Sequence, residues 1–442
     1  VPMTIYFDVS TSYEWRRNPV GIVRVEREYA THLRKHVQGL RFCRVDRERA
    51  THVLLSDPEV DALLGKEWCK PVERAEAAAP QMSVLARKAK AAARRLMPAI
   101  LARGVVQVVP SNSPAAAYRP LPELGQADVF MSVGADWDHL PVEYVRAMKR
   151  ESGCKVVLAC YDTIVVDFPE YAISDEFRGR LREHLLGLAA NADLVVAISD
   201  STKEDLLRFW RKESVRAVGE VIAVPLASAT PIAVTVNLPT SDRLEALKSQ
   251  GPYVVYVSTL EARKNHRLLF NLWREFHAEQ EQAVPRLVLV GARGWGVNDL
   301  LSELECSEAG RDGYIQVWRD VDDELLQGLY ANCEFGVFPS FYEGWGLAAT
   351  ELLAHGKTCV VSRSSSLQEA TQDVCPSFHP CDHLGWRDEI RRLSHNLEYR
   401  RQREADIAAR FRPRSWADCS RELASRLFDL SDASDQQVRA RR

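Results

Sequence analysis

Apolar residues in this chain gather into short unbroken runs separated by stretches with helical spacing. The runs at 4–9 (TIYFDV), 128–133 (DVFMSV), 155–160 (KVVLAC), 192–199 (ADLVVAIS), 221–227 (VIAVPLA), 251–258 (GPYVVYVS), 285–291 (PRLVLVG), 313–318 (GYIQVW) and 336–338 (GVF) read as strands covered on both faces. A strand with one face in water would alternate apolar and polar residues instead. Weaker strands are predicted at about 40–46 and 52–55. Between runs the period changes: Ile22, Val25, Tyr29 and Leu33 mark a helix, and an Asp200 or Ser201 cap opens another. Strand alternating with helix is the pattern of α/β domains with parallel, doubly wound sheets.

The chain has 442 residues, more than the roughly 250–300 at which a single core stops growing, so two domains are expected. The Pro-, Thr- and Ala-rich stretch that begins at 229 marks the junction, giving domains 1–228 and 229–430 and a polar, disordered tail at 431–442. The first domain is interrupted at about 68–126 by an Ala-, Arg- and Pro-rich insertion. Within it Ala86–Arg103 is basic and helix-prone up to Pro98. A solvated helix or mobile insertion is the leading reading, and contact with an anionic membrane surface is the second.

Composition narrows the classes. With 46% hydrophobic and 27% charged residues and a net charge of −3, nucleic acid is not expected as the main partner. No apolar run is long enough for a membrane span, and a cytoplasmic location, at most at the inner face of a membrane, is the expectation. The ten cysteines read as reduced core residues. Cys375, His379, Cys381 and His383 cluster, but not at a zinc-site spacing. No metal and no cofactor are called for.

Chemistry concentrates in Phe338–Ala354 (FPSFYEGWGLAATELLA), a strand end, a loop with Gly344 and Gly346, and a helix. Glycines admit a ligand close to the backbone, and a helix N-terminus favours an anion such as phosphate. Glu343 and Glu351, flanking that position, suit hydroxyls of a sugar. A second anion site is implied by Arg263 and Lys264, adjacent cations at a helix start, where the helix dipole disfavours them. In parallel sheets ligands collect beyond the C-terminal strand ends, which brings Asp136, His139, Tyr161, Asp162 and Ser199 toward one cleft.

EGWGLAATE resembles the Glu, seven residues, Glu signature of retaining glycosyltransferases of family 4, which have the GT-B fold: two Rossmann-like domains facing a central cleft. PVGIVRVEREYATHL, YDTIVVDFPEY, AISDSTKEDLL, TLEARKN, PRLVLVGARGWG, GYIQVWRDVDDELLQGLYANC, KTCVVSRSSSLQEATQD and DEIRRLSHNL resemble the family's other segments in the same order. The resemblance implies that Glu343 meets the transferred sugar and that Glu351 meets the nucleotide's ribose. Lys264 and Arg263 bind the diphosphate, and Gly21 lets the first domain approach it. Gly344, Trp345, Gly346 and Leu347 line the donor, and Asp162 stands near the sugar. The chain departs from the family at Tyr161, where a His is usual, and at Thr259, where many members have Arg. The implied reaction is metal-independent transfer of a hexosyl group, mannose from GDP-mannose first, with the leaving diphosphate helping to deprotonate the acceptor. The implied acceptor is a saccharide or lipid-linked saccharide of polysaccharide assembly. A GT-B epimerase and a non-catalytic scaffold are the alternatives, and product analysis with donor alone separates the epimerase.

Overall fold

The computed structural model describes residues 3–16, 21–47, 51–65, 68, 121, 123–228 and 241–440, with side chains to 430. Most of the insertion, including its basic segment, and the start of the junction lie outside the described residues.

The first sheet contains β1 (Ile5–Asp8), β2 (Leu40–Asp46), β3 (Thr51–Leu54), β4 (Val129–Ser132), β5 (Lys155–Cys160), β6 (Leu194–Ala197) and β7 (Glu220–Ala223). Its order is β3-β2-β1-β4-β5-β6-β7, and all neighbours are parallel except the edge pair β2 and β3. The period-2 geometry of a strand sorts its side chains. Ile5, Phe7, Val129, Met131, Val157, Ala159, Leu194 and Val196 enter one buried cluster, and Tyr6, Phe130, Val156, Leu158, Val195 and Ala197 enter another on the opposite face. Both faces are covered, as the unbroken apolar runs predict.

The second sheet holds β8 (Tyr253–Val257), β9 (Arg286–Val290), β10 (Ile315–Trp318), β11 (Gly336–Phe338), β12 (Cys359–Ser362) and β13 (Ser377–Phe378). The order is β10-β9-β8-β11-β12-β13, and all are parallel. Strand order reverses at β1/β4 in the first sheet and at β8/β11 in the second. At such a reversal the two loops leave in opposite directions and open a crevice at the strand ends.

Packing departs from chain order at the C-terminus. The last helix, Trp416–Ala440, returns to the first domain and lies along Gly21–His36. Trp416, Cys419, Leu423 and Leu427 join the cluster that contains Tyr29 and Leu33, and the Tyr29 and Trp416 rings meet edge to face at 5.8 Å. Residues 416–430 thus pack with the first domain, although a division by chain order assigns 229–430 to the second. This helix also runs through 431–440, where polar composition suggests a disordered tail. Its apolar residues at helical spacing have a partner in Gly21–His36 that local composition does not reveal. Among the described residues no helix is long and apolar enough to cross a membrane.

Candidate active site

The β8/β11 reversal brings together three of the residues singled out above. After β8 the chain makes a short 3₁₀ turn, Ala262–Lys264, then Asn265 takes a left-handed conformation (φ 54°) before the helix His266–Ala278 begins. Asn265 Nδ2 holds that turn by donating to the carbonyls of Pro339 (3.1 Å) and Pro380 (2.9 Å). The turn aims Arg263 and Lys264 across the crevice at the loop after β11. Lys264 Nζ donates to both oxygens of Glu343 (2.6 and 2.8 Å). Arg263 donates to Glu343 Oε2 (3.0 Å), the Tyr342 carbonyl (2.5 Å) and Glu261 Oε1 (2.7 Å).

Burial alone would raise the Glu343 carboxyl, but Lys264 and then Arg263 overrule it and bring it down to about 2. Burial lowers the Lys264 ammonium against the pull of Glu343. For Arg263 burial is outweighed by Glu343, Glu261 and Asp162, and the guanidinium is held more firmly protonated. Glu343 is therefore an ionised carboxylate gripped by two cations. The adjacent cations that the helix dipole disfavours are offset by this carboxylate.

The loop carrying Glu343 is clamped from both domains. Within the second domain, the Ser365 hydroxyl accepts from the Glu343 N–H (2.8 Å), and the Ser366 hydroxyl lies 2.9 Å from the carbonyls of Glu343 and Trp345. From the first domain, Ser199 and Thr202 hydroxyls donate to the Gly344 carbonyl (2.8 and 3.2 Å), and Tyr342 donates to Asp205 (2.6 Å). Gly344 is required by closeness: a Cβ there would stand 2.4 Å from the Tyr161 carbonyl. Gly346 is required by conformation, with φ 119° at the start of the helix Leu347–Ala354, and its Cβ would also strike Leu367. Trp345 is buried and Leu347 half-buried, both against the first-domain core.

Asp162 faces this cluster from the first domain. Its Oδ1 accepts from the Ile164 N–H (3.0 Å), and burial raises its carboxyl although Arg263 opposes the shift. Tyr161 turns away: its ring is in the first-domain core and its hydroxyl donates to the Val133 carbonyl at 2.5 Å. Gly21 opens the helix Gly21–His36 with φ 51° and open space where a Cβ would be. Ser199 caps the helix Asp200–Lys212, accepting from the Thr202 N–H. Asp136 and His139 lie at the β4 end, away from Glu343. Asp136 is buried and accepts from Ser132 (2.5 Å), and burial lifts it to about 8. His139 contacts Arg47 (2.9 Å).

Glu351 sits in the helix Leu347–Ala354 with both oxygens engaged. Oε1 pairs with Arg24 of the first domain at 2.5 Å, and Oε2 accepts from the Tyr330 hydroxyl at 3.0 Å. Burial raises its carboxyl in spite of Arg24. Arg24, Tyr330, Glu261, Ser365 and Ser366 were not among the residues that the sequence points to. Arg24 alone had a local signal, a cation one turn after Gly21.

Asp-x-Asp strings stand at 136–138 and 320–322, and three of their carboxylates, those of Asp136, Asp138 and Asp322, have local partners. Besides Asp136, Asp138 pairs with Arg180 (3.3 Å) and Asp322 caps Asp323–Asn332. Among the described residues, one His/Cys/Asp/Glu group is close enough to share an ion, Asp8, Cys43 and His52. Both His52 nitrogens already have partners there, Asp8 and Tyr144, each at 2.5 Å. The Cys375 to His383 set does not converge: Cys375 lies 3.5 Å from Cys359, and His383 pairs with Glu275 at 2.9 Å.

Residues 251–396 match the profile of the family described as Glycosyl transferases group 1. The chain is 29% identical over 266 residues to the Escherichia coli O-antigen chain mannosyltransferase B, covering 60% of this chain and 68% of that one. It is 26% identical over 294 residues to the Escherichia coli serotype-specific mannosyltransferase WbdA, covering 64% of this chain but 34% of the relative. In fold it is similar to Anabaena Alr3699/HepE, solved in complex with UDP: TM-score 0.58, 14% identity, with 97% of this chain and 100% of that one covered. The two parallel-sheet domains, the match across the second sheet and these relatives agree. Residues 251–396 are a glycosyl transferases group 1 domain, and the chain is a glycosyltransferase of the GT-B fold.

Proposed function

We propose that this glycosyltransferase is a retaining, metal-independent hexosyltransferase of family 4. It moves mannose from GDP-mannose to a saccharide or lipid-linked saccharide in polysaccharide biosynthesis. The observation that carries the reading is the Lys264–Glu343–Arg263 clamp at a strand-order reversal, facing Asp162 across the domain boundary. Breaking an anomeric bond puts negative charge on the departing diphosphate, and fixed cations in a water-poor site stabilise it more in the transition state than in the ground state. Lys264 and Arg263 supply that charge, with the N-terminal end of Leu347–Ala354 adding its dipole. As phosphate takes the cations, Glu343 is freed to accept hydroxyls of the sugar. Asp162 borders the sugar from the first domain, whereas the ring of Tyr161, expected beside it, is turned into the core; Gly21 lets the helix start approach the donor, and Gly344 to Leu347 form the donor-side wall. The leaving diphosphate assists deprotonation of the acceptor. Mannose is supported by the activity in the names of the Escherichia coli relatives. Membrane contact through Ala86–Arg103 and a place at the inner face of a membrane extend the same reading.

Thermal denaturation with a panel of nucleotide sugars tests it. GDP-mannose at a hundred times its dissociation constant adds about 2.7 kcal/mol of stability and raises the melting temperature. No shift with any nucleotide sugar would sink the donor-site reading, and a shift with a UDP-sugar alone would replace GDP-mannose.

A further inference from the structure

Arg24 and Glu351 are 327 positions apart in the chain, and their ion pair crosses from the first-domain helix Gly21–His36 to the second-domain helix Leu347–Ala354. It occupies the carboxylate assigned above to the ribose. Glu351 is nearly closed to solvent, with 6% of its side chain exposed. Its oxygens keep lone pairs beyond the two present donors, but with Tyr330 fully buried and Arg24 the partly exposed partner, a ribose hydroxyl reaches the carboxylate only from the side that Arg24 covers. Tyr330 is fully buried in the second-domain core and has no room to withdraw. Arg24 is 26% exposed on a long flexible side chain, so it is the donor that yields. Lys264 and Arg263 are paired with Glu343 and Glu261. Arg24 is thus the cation that ribose binding itself sets free, at the moment a diphosphate arrives beside it. Its other acidic neighbours are Glu28 and Asp323.

We propose that Arg24 is a donor-binding residue contributed by the first domain: the ribose displaces its guanidinium from Glu351, and the freed guanidinium pairs with the nucleotide's diphosphate. The inference rests on the donor-site reading. It makes the helix Gly21–His36 a sensor of nucleotide occupancy, because the same side chain joins the domains through Glu351 when the site is empty and through phosphate when it is filled. Nothing covalent changes; one ion pair is exchanged for another.

The two halves of the exchange predict opposite effects of one substitution. Calorimetric titration of wild type and Arg24→Ala with guanosine and with GDP is the test, with uridine and UDP as controls. Without a competitor for Glu351, guanosine binds Arg24→Ala about tenfold more tightly. Without the guanidinium, GDP binds it at least tenfold more weakly. Arg24→Gln, which keeps an amide donor for Glu351 and protects the fold, leaves guanosine near its wild-type affinity and still weakens GDP. Equal shifts for guanosine and GDP in Arg24→Ala, or unchanged GDP binding in Arg24→Gln, overturn the proposal and leave Arg24 a structural tie. Wild-type protein that binds none of the four compounds brings down the donor-site reading itself.

Discussion

Glycosyl transfer by the Lys264→Ala protein is expected to fall by roughly 10²–10³-fold, the usual cost of removing one pre-positioned donor to developing negative charge. Lys264 is the strongest single test because its ammonium reaches both oxygens of Glu343, at the point where the β8 turn and the β11 loop meet. Arg263 cannot replace it, since its guanidinium is also tied to Glu261 and the Tyr342 carbonyl. The folded protein survives the change because Glu343 keeps Arg263 as a partner, although the melting temperature drops as a buried ion pair loses one member. Steady-state rates with the donor identified by thermal shift, beside a circular dichroism melt, separate the two effects. Retention of more than a tenth of wild-type transfer by Lys264→Ala would remove Lys264 from the chemistry.

Glu343→Gln has the second largest expected effect, and its two readouts move in opposite directions. Transfer falls by about 10² or more, because a carboxylate that accepts the sugar's hydroxyls is lost. Affinity for the nucleoside diphosphate without sugar rises by about tenfold, because Glu343 competes with phosphate for Lys264 and Arg263. The ion pairs also set an acid limit on stability. The Glu343 carboxyl is lowered from 4.5 to about 2 in the folded protein. Its contribution is therefore present above the unfolded value and is lost as pH falls from about 4.5 toward 2. In Glu343→Gln that share of the acid sensitivity disappears, which melting curves across this window would reveal. If Glu343→Gln weakened the diphosphate and the sugar donor alike, the clamp would be a structural feature rather than a competitor of phosphate.

Much of the site was legible because its signals are local. Gly344 and Gly346 announce a backbone that tolerates no Cβ, and the structure gives each a separate reason, the Tyr161 carbonyl and a positive φ. Arg263 and Lys264 stood out as cations where a helix start disfavours them, and Glu343 is the counter-charge. What the sequence could not disclose is side-chain direction at strand ends. Tyr161 and Asp162 are consecutive, yet the tyrosine ring enters the first-domain core while the aspartate carboxyl faces Arg263. That choice depends on Val133 accepting the tyrosine hydroxyl from another strand end.

By itself the sequence determined most of the strands, the burial of the central ones on both faces and the division into two parallel-sheet domains, and it marked a glycine loop and two adjacent cations, though not Cys359–Ser362 or Ser377–Phe378 as strands. Each follows from hydrophobic period, helix-start electrostatics or glycine's freedom, all of which act over a few residues. Only the tertiary structure decided that Arg24 closes on Glu351 and that the last helix returns to the first domain. It also decided that the Gly344 carbonyl is held by Ser199 and Thr202. Those contacts join residues far apart in the chain, and their partners exist only once two sheets have folded and met face to face.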